Sequence, residues 1–323
     1  MKRLGKWILG IVGGLLALVL VVVGGFILRD RILYADFYGA AQKGMKIPGL
    51  WDGYVSQGFD YDAGADRYLT CGYHKDGKAS RIYVIEGEKQ TRVDMKCADG
   101  SDYTGHTGGI DTYGPYVYVT ANEGLDLFLL TDVLDGDGTA TQVGTFATVV
   151  NPAYCTVVGD TLYTGAFYRP ENYETPMEHR FTTPAGDQNT ALLSVYSLNP
   201  ATGLPLSETP DRFYSTTSQV QGMTFTEENT LVFACSYGLA DSTLLFYDLT
   251  KLSSETASLT VNGVSVPVLF LDSAAKVGEI TAPPMAEEIV WKDGRLWVMN
   301  ESACTKYWFG KLTTGNHVYG VTP

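Results

Sequence analysis

The sequence predicts an all-β fold, a five-bladed β-propeller preceded by a single N-terminal transmembrane helix. Three observations lead there: one long uncharged apolar run near the N-terminus, a composition with 21 Tyr and 36 Gly, and a theme that recurs five times after residue 55. Val, Ile and Thr fill most of the remaining apolar runs, which suits half-buried strands joined by tight turns.

Residues 7–28 carry no charge. At about 1.5 Å per helical residue such a run covers the roughly 30 Å hydrocarbon core of a bilayer. It ends in Gly24-Gly25-Phe26-Ile27-Leu28-Arg29 without a small-x-small cleavage site or a lipobox cysteine, so it reads as an uncleaved anchor. Lys2, Arg3, Lys6 and the amino terminus precede it, whereas Arg29 and Arg31 follow with Asp30 between them. That bias favours a cytoplasmic N-terminus and an extracytoplasmic C-terminal domain on the cell membrane. The expected organisation is a tip and anchor over 1–31, a short helical or irregular stalk over 32–54 and a propeller over 55–323.

The recurring theme opens with Gln57-Gly58-Phe59, Gly108-Gly109-Ile110, Cys155-Thr156-Val157, Gln221-Gly222-Met223 and Glu287-Glu288-Ile289. A second strand follows within a short turn, as at 67–70 and 295–298. Third strands are expected at 81–85, 127–130, 192–196, 244–247 and 307–309, with 317–321 as the outer strand of the last unit. Because the last unit supplies its own outer strand, ring closure is expected to rest on face packing. Spacings of about 40 to 65 residues are those of propeller blades, whose sheets bury both faces only by packing on neighbours in a ring. Two departures stand out: a long polar segment over 169–189, and Val261-Asn262-Gly263-Val264, an added hairpin with a primed turn.

The whole chain carries 23 Lys+Arg against 36 Asp+Glu. Without a basic face, nucleic acid is excluded as a partner. The five cysteines, Cys71, Cys97, Cys155, Cys235 and Cys304, lack CxxC or Cys/His spacing. Most are expected to be small buried residues, with one disulfide as the alternative. Asp132 and Asp135-Gly136-Asp137-Gly138 look like a calcium loop but lack its closing glutamate, so a turn is expected and no metal ligand is assigned. No cofactor motif is present.

In a propeller the lead-ins meet at one mouth of a central channel. Gln57, His106, Tyr154, Gln221, Glu287 and Glu288 are therefore the expected cluster, with Asp60 and Asp111 further along their strands. Glu288 and His106 are the candidate catalytic pair. Gln57, Tyr154, Gln221 and Glu287, with Arg169 and His179 from the long loop, are the candidate ligand-binding residues. The alternative for this cluster is that it serves only to satisfy backbone and water at the funnel.

Ser56-Gln57-Gly58-Phe59, Thr70-Cys71-Gly72-Tyr73 and Ala79-Ser80-Arg81, together with Glu287-Glu288-Ile289, Asp293-Gly294, Leu296-Trp297 and Asn300, resemble the first and last repeats of the plant and bacterial type of glutamine cyclotransferase. The resemblance covers about sixty residues and implies a five-bladed propeller with Glu288 as the glutamate at the channel mouth. Leu69 and Glu287 depart from the family pattern. The preferred functional reading is a binding or surface-organising module for a small-molecule, glycan or peptide ligand. The alternatives are an enzyme of cyclotransferase or lyase type using Glu288, and an interaction scaffold for another membrane protein. In all three the helix partners the lipid bilayer.

Overall fold

A computed structural model describes residues 2–313 and 315–323, with side chains from Lys6 onward. The side chains of Lys2 and Arg3 and the amino terminus, on which part of the orientation reading rests, lie outside the described residues.

Helix α1 spans Lys2–Leu33, and its Lys6–Leu33 portion is long and apolar enough to cross a membrane. A short helix α2, Ala35–Ala40, follows and leads into strand β1, Ala41–Lys46. The remaining described chain is predominantly strand. A first antiparallel meander comprises β2 (Tyr54–Asp62), β3 (Arg67–His74), β4 (Arg81–Glu86) and β5 (Lys89–Lys96). A second comprises β6 (Ile110–Tyr113), β7 (Tyr116–Ala121), β8 (Gly124–Leu129) and, after the one-turn helix α3 (Leu130–Asp135), β9 (Thr139–Ala147).

The third sheet begins with β10 (Pro152–Val158) and β11 (Thr161–Ala166). The long polar segment then folds its own small hairpin, β12 (Phe181–Thr182) with β13 (Gln188–Asn189), before β14 (Ala191–Asn199), the two-residue β15 (Leu204–Pro205) and β16 (Arg212–Thr216). The fourth sheet orders β17 (Val220–Phe225), β18 (Thr230–Cys235) and β19 (Ser242–Asp248). Its outer strand comes only after an inserted hairpin, β20 (Ala257–Val261) and β21 (Val264–Phe270), and is β22 (Lys276–Ala282). β23 (Ala286–Lys292), β24 (Arg295–Asn300) and β25 (His317–Val321) form the last sheet.

The first strands of these sheets pack in a cycle: β2 on β6, β6 on β10, β10 on β17, β17 on β23 and β23 back on β2. This is a propeller-like arrangement, and its core lies between sheets rather than inside one. Leu69, Cys71 and Ile82 of the first sheet pack with Val117, Val119 and Phe128 of the second. Tyr118 and Leu125 meet Cys155, Leu162 and Tyr196, and Tyr154 and Leu193 meet Met223 and Phe233. Val232 and Leu244 pack with Ile289 and Leu296, and Val55 and Phe59 close the cycle with Met299 and Val318. Each sheet buries both faces by this means, as the alternation of apolar residues in its middle strands requires.

The segment expected as a stalk differs from that expectation. β1 pairs antiparallel with β25, placing Ala41 opposite Val321 and Lys43 opposite Tyr319, so the sheet order is β1-β25-β24-β23. Ring closure therefore uses backbone hydrogen bonds from an N-terminal strand as well as face packing. The physical reason is that β25 is the third strand of its sheet, not the outer one. The triplet Tyr307-Trp308-Phe309, expected as that third strand, lies in a loop that ends in a 3-10 turn, Phe309–Lys311. Without β1, the edge of β25 would present unpaired N–H and C=O groups.

The inserted hairpin matches its local signal closely. Asn262 (φ 51°) and Gly263 (φ 79°) form the primed turn of the β20–β21 hairpin, in which Val261 pairs with Val264. β21 then runs parallel to β16 and extends the third sheet outward. At the acidic run the expected turn is confined to 136–138, where Asp137 accepts from Thr139 N and Oγ1, whereas Asp132 and Asp135 lie in helix α3. All five cysteines are free, with Cys71, Cys155 and Cys304 buried.

Candidate functional site at the channel mouth

The inner strands begin with a shared irregularity. The register of β2 on β3 shifts between Ser56 and Gly58, that of β10 on β11 between Pro152 and Tyr154, and that of β17 on β18 between Val220 and Gly222. β23 on β24 shifts between Ala286 and Ile289. A bulge leaves one residue out of the ladder and re-aims its side chain. Here the bulged residues Gln57, Ala153, Gln221 and Glu287, with Gly108 from the second sheet, all line one cavity of about 570 Å³ at the mouth of the channel.

This alignment corrects the register of the third unit by two residues. Ala153-Tyr154-Cys155, not Cys155-Thr156-Val157, corresponds to Gln57-Gly58-Phe59. Tyr154 consequently points between sheets instead of into the mouth. It is fully buried, its ring centroid lies 6.3 Å from that of Phe233, and it packs so closely on Gly165 that a Cβ there would meet the phenol at 2.0 Å.

The chemistry of the cavity centres on two carboxyl groups. The Glu287 and Glu301 carboxyl groups act on each other, Glu301 raising the pKa of Glu287 and Glu287 lowering that of Glu301. Burial first, and then the Glu301 charge, hold the Glu287 carboxyl well above the usual range. Burial pushes Glu301 up to about 7, against the opposing pull of the Lys306 ammonium and of the hydrogen bonds from Glu287 and Gln57. The pair thus shares a proton, because two carboxylates in contact in a desolvated site do not both ionise. Gln57 Nε2 donates to Glu301 Oε2 at 2.8 Å and to Ser56 O at 3.0 Å, fixing Glu301 against the first sheet. Lys306 donates to the Tyr73 hydroxyl and sits between the rings of Tyr73 and Tyr307, 5.0 Å and 4.9 Å from their centroids. His106 stacks against Tyr73 at 4.9 Å, and burial together with Lys306 lowers its pKa, so it is neutral. Amides from Asn122, Asn151 and Gln221 and rings from Phe167, Tyr173 and Tyr237 complete the walls.

Of the residues singled out from sequence, Gln57, His106, Gln221 and Glu287 line this cavity, whereas Glu288, Tyr154, Arg169 and His179 are not part of its lining. Glu288 lies deeper, 1% exposed, inside the channel. Its Oε1 accepts from Met223 N at 2.9 Å, its Oε2 is buried without a hydrogen-bond partner, and burial holds its pKa well above the usual range. Gly222 makes room for it, since a Cβ there would meet Glu288 Oε1 at 2.3 Å. Arg169 supports the rim from outside: its guanidinium lies 3.8 Å over the Tyr237 ring, and its backbone pairs with that of Tyr173. His179 is buried in the 3-10 turn Met177–His179, with its pKa lowered by burial. Glu301, Lys306 and Tyr73 were missed by sequence reasoning. The one available signal was that Glu301 directly follows Asn300 at the end of a strand whose partner begins with the Glu287 bulge.

Asp60 and Asp111 are at the opposite end of the channel, around a separate cavity of about 230 Å³. There each of the first four sheets is tied to the next at an equivalent position. Thr112 Oγ1 donates to Asp60 at 3.2 Å, Val157 N to Asp111 at 2.8 Å, Thr156 Oγ1 to Met223 O at 2.9 Å, and Trp291 N to Thr224 Oγ1 at 3.3 Å. These residues are inter-sheet ties, which accounts for their burial.

No family model matches the chain, and no curated protein matches it. Among solved structures, it is similar to the PQQ-bound form of aldose sugar dehydrogenase from Streptomyces coelicolor, with 15% identity and a TM-score of 0.45, covering 80% of this chain and 78% of that one. It is also similar to a gluconolactonase from Xanthomonas campestris, with 13% identity and a TM-score of 0.40, covering 87% of this chain and 95% of that one. The propeller-like, mostly β architecture rests on the cyclic packing of the inner strands, and among the described residues one helix, near the N-terminus, is long and apolar enough to span a bilayer.

Proposed function

We propose that this chain is a single-pass membrane protein whose extracytoplasmic domain, a five-bladed propeller, binds a neutral, hydroxyl-rich small molecule at the channel mouth. The five-bladed count is supported by the cyclic packing of β2, β6, β10, β17 and β23 and by the interface clusters between them. The observation that carries the ligand class is the proton-sharing pair Glu287–Glu301 in a cavity that also presents amides and aromatic faces. A carboxyl that donates beside one that accepts suits a sugar-like hydroxyl, which both donates and accepts. Tyrosine and phenylalanine rings suit the apolar faces of such a ring. Lys306 offsets the single negative charge of the pair, so the site as a whole disfavours a strongly charged ligand.

The test is a thermal-shift and calorimetric screen of the full chain in detergent against neutral mono- and disaccharides, dipeptides and divalent ions. Saturable stabilisation by a neutral sugar that Glu301→Gln abolishes supports the reading, since ligand bound to the native state raises its stability. Stabilisation by peptides alone, or by a sugar equally well in Glu301→Gln, overturns it.

A second reading, acid–base catalysis at the same pair, is favoured by the Glu301 pKa of about 7. A group poised near the operating pH is suited to proton transfer. In that reading the proton-transfer group is Glu301 rather than Glu288, which is enclosed below the mouth cavity.

A further inference from the structure

The mouth cavity and helix α1 share one face of the domain. Phe26, Arg29 and Asp30 of α1 line a second cavity of about 370 Å³ together with Pro283, Pro284 and Asn300. Met285 and Glu301, the next residues along each of those two segments, line the mouth cavity itself. The helix is fastened there: the Tyr34 hydroxyl donates to Asp241 at 2.7 Å, that of Tyr38 donates to Asp30 at 2.8 Å, and the Arg31 guanidinium lies 4.3 Å over the Tyr38 ring. The apolar window of α1 is 0% buried, so the helix projects away from the domain.

The same face carries large exposed apolar side chains. Trp51 is 75% exposed, Trp308 61%, Leu239 73% and Met177 73%. Trp308 adjoins Tyr307, Leu239 adjoins Gly238, and Met177 belongs to the loop that brings Tyr173 to the cavity. Trp51 stands beside the Trp308 loop, with Lys311 Nζ 4.5 Å from its ring centroid. Tryptophan concentrates at the headgroup level of bilayers.

We infer that the face bearing the mouth is the membrane-facing face of the domain, resting on the bilayer that α1 enters, with Trp51 and Trp308 in the headgroup layer. This rests on the anchored reading proposed above. The cavity then opens toward the headgroup layer, and what reaches it comes along the membrane surface.

The experiment uses the full chain in liposomes of phosphatidylcholine and phosphatidylglycerol whose acyl chains are brominated close to the headgroup, with tryptophan fluorescence as the readout. In a Trp7→Phe background, bromolipid is expected to quench emission by about a third or more, and adding Trp51→Phe and Trp308→Phe is expected to remove most of that quenching. Quenching that is absent in the Trp7→Phe protein, or unchanged by the two further substitutions, overturns the inference. The parent separates the causes. If Trp7 is quenched and the protein resists alkaline carbonate extraction, the anchor holds and only the orientation fails. If Trp7 is not quenched and the protein is extracted, the anchored reading fails and takes the orientation with it.

Discussion

Gln57 and Glu301 are 244 residues apart in the chain, yet the Gln57 amide donates to the Glu301 carboxylate at 2.8 Å. The bond joins the first inner strand to the end of the last sheet's second strand, so one contact contributes to ring closure and to the carboxyl pair. Gln57→Leu is therefore expected to act on both. Leaving Glu301 Oε2 without its donor should cost about 1–3 kcal/mol of stability. It should also raise the Glu301 pKa further, because a hydrogen bond that lowers it is lost. Urea denaturation gives the first effect and carboxyl titration followed by infrared difference spectroscopy the second. A variant as stable as the parent, with an unshifted carboxyl, would show that this contact does neither.

The legible parts of the molecule were those with strong local chemistry. The lead-ins Gln57-Gly58 and Gln221-Gly222 were readable because they repeat the same residue pair, and the Asn262-Gly263 turn because a primed turn requires residues that tolerate positive φ. The third lead-in was misaligned because Pro152-Ala153-Tyr154 shares the bulge but none of its side chains. β1 was not legible, since Gln42, Lys43, Gly44 and Lys46 show no apolar alternation and an edge strand needs none. Tyr307-Trp308-Phe309 has strand composition, yet Trp308 at φ 42° turns the chain into a loop beside the mouth. Glu301 went unseen because its importance depends on Glu287 and Gln57, which approach it only once the ring is closed.

Ring closure by β1 can be tested at Gly44. A Cβ at this position would meet the Trp297 ring at 2.4 Å and Val318 O at 3.0 Å. Gly44→Val is expected to destabilise the domain by about 1–3 kcal/mol, the usual cost of overpacking, with the loss seen in urea denaturation. The same substitution at Gly144 in β9, where a Cβ would meet only Leu127 Cδ1 at 3.6 Å and φ is not positive, is expected to cost little. Equal losses at the two positions would argue that β1 does not pack as described.

Burial holds the Glu288 pKa well above the usual range, so replacing its carboxyl group by an uncharged amide should not harm the fold. Glu288→Gln preserves the Oε1 acceptor for Met223 N. Its stability at pH 8 is expected to equal or exceed that of the parent, within about 1.5 kcal/mol. Glu288→Ala removes the acceptor and leaves a void beside Gly222, with an expected loss of about 2–4 kcal/mol. Because Glu288 is absent from the mouth lining, the Gln variant should bind ligand like the parent; a large affinity loss would place Glu288 in the site after all.

The buried carboxyls together set the sign of the pH dependence. Glu301 and Asp60 are each raised to about 7, and Glu287, Glu288 and Asp111 well above the usual range, with burial as the largest cause for every one. In the unfolded chain such groups ionise near about 4. Below that value both states are protonated and the stability is fully present. As pH rises toward about 7, the folded state holds protons that the unfolded state has released, so stability falls. Exposed carboxylates with lowered pKa, such as Asp99 and Asp137, act in the opposite sense but only at more acidic pH. The urea midpoint is therefore expected to be higher at pH 5 than at pH 8. Glu301→Gln and Asp60→Asn should each shrink that difference by removing one of the titrating groups. A midpoint that rises from pH 5 to pH 8 would mean that these carboxyls ionise in the folded protein as readily as in water, and the proton-sharing pair at the mouth would have to be abandoned.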